Sequence, residues 1–121
     1  IKGFTYYNKT MLQGVKINEN IHIYILSNLH STAFKAVLAH ELMHVFLFVN
    51  NYKLSSDTME GFCNLGSKLI YDNTQTELSD YLTLSMFKNK DPDYGIGFIK
   101  MNEALKKKGW GKLIKELNYL D

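Results

Sequence analysis

The pentapeptide His40-Glu41-Leu42-Met43-His44 lies inside an apolar segment of helical period. Phe34, Val37, Leu38, Leu42, Val45 and Phe48 or Val49 recur every three or four residues, the spacing of an amphipathic helix. Ser31 or Thr32 is the expected N-cap and Asn50-Asn51 the expected stop, so the helix should cover about 31–49. Residues four apart on a helix share a face, and both imidazoles then reach one point in space. Glu41 stands about 100° further round the axis, close enough to meet a water activated at a metal. An H-E-x-x-H string placed this way is the arrangement a zinc peptidase needs: two nitrogen ligands and a general base. The plain alternative is a pair of histidines on a half-buried helix face.

A catalytic zinc takes three protein ligands and leaves one position open. A histidine six residues beyond His44 would supply the third in one class of such sites, but position 50 is asparagine. Glu60 is better placed. If 31–49 and 57–71 pair as an antiparallel helical hairpin, His44 lies about 7.5 Å back from the end of its helix. Glu60, about one turn into the next helix, comes to a similar height. The competing role for Glu60 is a first-turn carboxylate complementing the helix dipole, and Asp57 is the substitute ligand if Glu60 points away.

The segment before the motif reads as β structure. Phe4 to Tyr7 and Ile21 to Leu26 are rich in β-branched and aromatic residues, and Ile21, Ile23 and Ile25 give the second an apolar face. Met11 to Ile17 fits neither class. Beyond the motif, a second helix is expected from Ser55, Ser56 or Asp57 to about Tyr71, and a third from about Gln75 to Phe87. Asp91-Pro92 opens a fourth, because proline is tolerated in the first helical turn. Gly109 should break it before a short closing helix near Leu120. The expected class is α+β with helices dominant, over one domain, 1–121, excised from something longer since Ile1 is not a start methionine.

Composition narrows the partners. The net charge of +2 comes from lysine alone, with no arginine, and arginine is the residue on which bidentate reading of guanine and phosphate relies. Nucleic acid is therefore not expected. Lys106-Lys107-Lys108 reads as a solvated helix end beside Gly109. No uninterrupted apolar run approaches the roughly 18 residues of a membrane span. The single cysteine, Cys63, rules out an internal disulfide and does not imply secretion; the sequence leaves localisation open, with the cytoplasm slightly favoured.

Three segments carry a family resemblance: Val37-Leu-Ala-His-Glu-Leu-Met-His44, Met59-Glu-Gly-Phe-Cys-Asn64 and Asp93-Tyr-Gly-Ile-Gly-Phe98. Together, over about residues 21–117, the chain resembles the C-terminal peptidase domain of the plant LIM-domain, ubiquitin-activated peptidases (DA-one-like). The resemblance implies a minimal zincin-like metallopeptidase domain of gluzincin type, with Zn2+ on His40, His44 and Glu60 and with Glu41 catalytic. Tyr94 matches a tyrosine of the third motif, and its hydroxyl is a candidate donor to the oxyanion of the tetrahedral intermediate. Packing of the last helix against the motif helix is the competing role for Tyr94. Met59 stands where the family has an acid, Asn28-Leu29-His30 where it has Gly-Leu-Pro, and Ile96 where it has aspartate. None of these removes a ligand. No LIM or ubiquitin-interacting segment is present, so an activator or a fused regulatory domain would lie outside this chain.

The leading expectation is a peptidase acting on protein or peptide substrates. A protease for one regulatory partner and an inactive, zinc-stabilised interaction domain are the alternatives, and Glu41 separates them, because a structural zinc has no use for a base. Cys63 is expected as a small buried hydrophobe, since a fourth ligand would close the site. His22 and His30 are expected on a strand face and in a loop, and Trp110 as a packing anchor. The strand at 21–26 is a candidate to hold extended substrate by its edge, or simply to support the helix. A chain this short builds barely one wall of a cleft, so an open groove and weak action on generic peptides are expected.

Overall fold

The computed structural model describes residues 2–120. A two-stranded antiparallel sheet comes first, β1 (Gly3–Leu12) against β2 (Val15–Ile25), followed by α1 (Ser31–Val49), α2 (Ser56–Thr74), α3 (Glu77–Lys88) and α4 (Gly97–Glu116). A π-helical turn, Pro92–Ile96, leads into α4, and a 3-10 turn, Leu117–Tyr119, closes it. The α+β class with helices dominant is as expected.

The hairpin is longer than the sequence pattern indicated. Its register runs from Gly3 opposite Ile25 to Leu12 opposite Val15, with one irregularity between Thr10 and Met11. The ambiguous stretch from Met11 to Ile17 is its tip. Gln13 and Gly14 turn the chain there with φ of 50° and 80°, values that suit glycine. One face of the hairpin rests on α1 in step with it: Thr5 meets Glu41, the Tyr7 ring stacks on Phe48 at 5.7 Å, and Lys9 Nζ donates to Asn51 Oδ1 at 2.6 Å. Ile23 and Ile25 share that face and are half-buried. The other face carries Phe4, Tyr6, His22 and Tyr24 to solvent, with Phe4 stacked on Tyr24 at 4.7 Å.

The helix α1 has the expected limits but a different cap. His30, not Ser31 or Thr32, is the N-cap, its Nδ1 accepting from Thr32 N at 3.1 Å. A ring nitrogen two residues upstream does what a hydroxyl usually does, satisfying one free N–H of the first turn. As a whole α1 is long and apolar enough, by length and composition, to cross a membrane. Here it packs against α2, β1 and β2.

The helix α2 runs antiparallel to α1. Ser67 Oγ donates to the Ala36 carbonyl at 2.8 Å near one end of the pair, while Glu60 meets His44 near the other. The helix continues to Thr74, past Asp72-Asn73, and stops on Gln75 with φ of 55°. Thr76 caps α3 in a reciprocal box with Ser79. Gly109, at φ 77° and ψ 167°, breaks the helical path within α4 as expected. Leu47, Phe62, Leu65, Phe98, Met101 and Leu113 form the core between α1, α2 and α4. Each contributes roughly 1.5–3 kcal/mol by leaving water. Phe98 and Met101 reach it because α4 starts in backbone contact with α2: a Cβ on Gly61 would overlap the Gly97 carbonyl.

Candidate metal centre

Antiparallel packing of α1 on α2 brings the motif residues onto one carboxylate. Glu60 Oε1 lies 2.9 Å from His44 Nε2 and 3.1 Å from His40 Nε2. Both histidines are buried, at 8% exposure each. The turn spacing of α1 puts the imidazoles together, and the single turn between Ser56 and Glu60 lifts the carboxylate to their height. Asp57, the substitute ligand, is engaged elsewhere, accepting from Ser55 Oγ at 2.6 Å and from Lys100 Nζ at 2.9 Å.

One turn beyond Glu60, Asn64 fixes the proton on His40. Its Nδ2 donates to the Tyr94 carbonyl at 2.8 Å, which leaves Oδ1 as the acceptor facing His40 Nδ1 at 2.7 Å. Nδ1 must therefore carry hydrogen, and a neutral His40 presents a bare Nε2 to Glu60. A lone pair then faces a carboxylate oxygen at 3.1 Å. A proton or a cation between them removes the conflict, and the donor set of two imidazoles and a carboxylate is one that divalent zinc accepts. Burial works to raise the Glu60 carboxyl, but when both Nε2 atoms carry hydrogen their hydrogen bonds outweigh it and hold it at about 2.

Cys63 adds a third soft group. One nitrogen of each imidazole and the Cys63 sulfur lie within 4.8 Å of one another, and this His-His-Cys group can hold a metal ion. Cys63 is fully buried, as expected of a small hydrophobe, and burial pushes its thiol well above the usual range.

Glu41 is also buried, at 5% exposure, and faces the hairpin. Thr5 Oγ1 sits 2.8 Å from Glu41 Oε1 and 3.2 Å from the Glu41 carbonyl. The same glutamate and both histidines line a cleft of about 570 Å³, whose walls include Phe4, Phe48, Tyr71 and Tyr94. The strand on this cleft is β1, through Gly3 to Thr5. Among the described residues β2, the strand weighed as a substrate edge, contributes none of the lining. His22 and Tyr24 lie on the face turned away from α1, and His30 is spent on capping.

Tyr94 reaches the cleft from the π-helical turn. Asp91 Oδ1 accepts from the backbone N–H of Asp93 and Tyr94, both at 2.9 Å, and so sets the start of that turn. The Tyr94 ring stacks on His40 with centroids 6.0 Å apart and stays 41% exposed. Burial first, then the charges of Glu60 and Glu41, push its hydroxyl up to about 12, so it remains a donor at neutral pH.

No protein-family model, curated protein or solved structure matches this chain. The site thus stands on its own geometry. His40, His44, Glu60, Glu41 and Tyr94, the site residues expected from the sequence, all line the cleft. Asn64 and Thr5 join them without being expected from the sequence. Asn64 was within reach, four residues after Glu60 and so on its face. Thr5 was not, since nothing local connects it to a glutamate 36 residues away.

Proposed function

We propose that this protein is a zinc-dependent peptidase, with His40, His44 and Glu60 as ligands and Glu41 as general base. The observation that carries the reading is the convergence of both Nε2 atoms on Glu60 Oε1, at 3.1 and 2.9 Å, at the floor of an open cleft. Glu60 is preferred to Cys63 as third ligand because it faces the cleft with the imidazoles, whereas Cys63 is fully buried and not part of its lining. In this reading the fold is a minimal zincin-like domain of the DA-one-like kind, which the three sequence motifs support.

His40, His44 and Glu60 would hold the zinc, which would supply Lewis acidity to the scissile carbonyl and to a bound water. The protein's own groups do the rest. Glu41 takes the water proton and returns it to the departing amine. Thr5, donating to Glu41 Oε1, holds that carboxylate in one orientation and leaves Oε2 free for the proton. Tyr94 donates its hydroxyl hydrogen toward the developing oxyanion. The sheet has two strands among the described residues, so the edge of β1 opposite β2, at Gly3 to Thr5, would offer main-chain groups to an extended peptide.

The test is Glu41→Gln. Folding and zinc content should match the wild type, while protein cleavage falls by about 10²–10⁴-fold. Unchanged cleavage would remove Glu41 from the mechanism.

A further inference from the structure

The outer face of the hairpin changes character along its length. The opposed pairs on that face are Phe4 with Tyr24, Tyr6 with His22, Asn8 with Asn20, and Thr10 with Asn18. Rings fill the first two pairs and short polar side chains the last two. Phe4 stacks on Tyr24 at 4.7 Å, Tyr6 lies 6.0 Å from His22, and His22 lies 6.3 Å from Tyr24, so the four rings form one patch. Phe4, Tyr6 and Tyr24 stay about half exposed, at 52%, 48% and 50%. The patch sits at the end of the hairpin that borders the cleft, because Phe4 lines the cleft together with Gly3 and Thr5. A second observation concerns the backbone. β1 pairs with β2 along one edge, and among the described residues no backbone hydrogen bond ties residues 3–12 to any other element. An unpaired strand edge is a row of donors and acceptors open to one more strand.

We propose that the substrate is an extended polypeptide segment with bulky apolar side chains at alternate positions, and that Phe4 and Tyr6 select those side chains. This rests on the peptidase reading and names the substrate class of that same site. A strand added to the free edge of β1 turns every second side chain to the outer face. There each Cβ stands about 4.5–5.5 Å from that of the residue it opposes. Opposite Phe4 and Tyr6 the added side chains meet rings that the core does not use. Tyr24 covers one face of the Phe4 ring and still leaves the residue half exposed. Aromatic and β-branched side chains gain most from such pairing, and serine or glycine least. The intervening side chains of the segment turn the other way, to the side of β1 on which Thr5 meets Glu41. The rings therefore choose alternate residues of the strand whose backbone passes the general base.

The experiment measures peptide binding to the full chain carrying Glu41→Gln, by fluorescence anisotropy. One capped peptide has isoleucine and tyrosine at two alternate positions, a second has serine at both, and a third is the first with N-methylated backbone amides. The apolar peptide is expected to bind about tenfold more tightly than the serine peptide. N-methylation should abolish its binding, since main-chain hydrogen bonds hold an added strand. Phe4→Thr and Tyr6→Thr keep a strand-forming residue and lose the ring, and each should cut the preference to about threefold or less. Tyr81→Ala, at an exposed tyrosine of α3, should leave it unchanged. Equal binding of the first two peptides, no binding of either, or a preference that survives both ring variants would overturn the inference. So would a chain that dimerises through this edge and excludes the peptide. The same peptides given to the zinc-reconstituted wild type separate the two claims. Cleavage without preference overturns the role of the rings alone, and preference without cleavage overturns the peptidase reading.

Discussion

Asn64 Oδ1 stands 2.7 Å from His40 Nδ1, and the other end of that amide is tied to the Tyr94 carbonyl. The link joins α2, α1 and the π-helical turn, and it decides which His40 nitrogen is free to bind metal. A side chain without an acceptor at this position leaves the imidazole free to turn and to change tautomer. Asn64→Ala is expected to weaken zinc binding by about 10–100-fold with the fold retained. Competition against a chelator measures this, and an affinity within error of wild type would deny Asn64 that role.

Tyr94 separates catalysis from packing. Its ring lies on His40 and its hydroxyl remains protonated, so phenylalanine keeps the stack and loses only the donor. Tyr94→Phe is expected to bind zinc normally and to lower kcat by about 10²–10³-fold, with KM changed far less. Full turnover in this variant would assign the tyrosine to packing alone.

Asp57 ties the start of α2 to α4. Ser55 first, and then Lys100, hold its carboxyl at about 2, below the usual 3.8. The folded protein therefore binds this proton less readily than the unfolded chain. The stability it contributes is present above the unfolded value and is lost as the pH falls through about 2. Asp57→Asn should melt below wild type at neutral pH, with the gap closing as the pH approaches 2. Exposure to solvent keeps the effect small. Thermal melts across that range check it, and a gap that stays constant would show that the charge on Asp57 contributes nothing.

The sequence was most legible where burial imposed a period. The limits of α1 and the break at Gly109 followed from apolar spacing and from a residue that leaves the helix. Glu60 was found because helix length and rise alone set its height opposite His44. The hairpin was only half legible. Asn8, Lys9, Thr10, Lys16 and Asn18 have no buried face, so nothing in their order marks a strand. The cap of α1 was missed because a histidine ring took the place of a hydroxyl. Thr5 was invisible for a different reason: its contact with Glu41 exists only once the hairpin lies on α1.

The central claim is that His40, His44 and Glu60 together hold one zinc. Metal analysis of the purified wild type beside His44→Ala and Glu60→Ala addresses it most directly. One zinc per chain is expected in the wild type, and loss of that zinc in both variants. Zinc retained in full after Glu60→Ala would contradict the ligand set, and a wild type that takes up no zinc on reconstitution would contradict the metal centre itself.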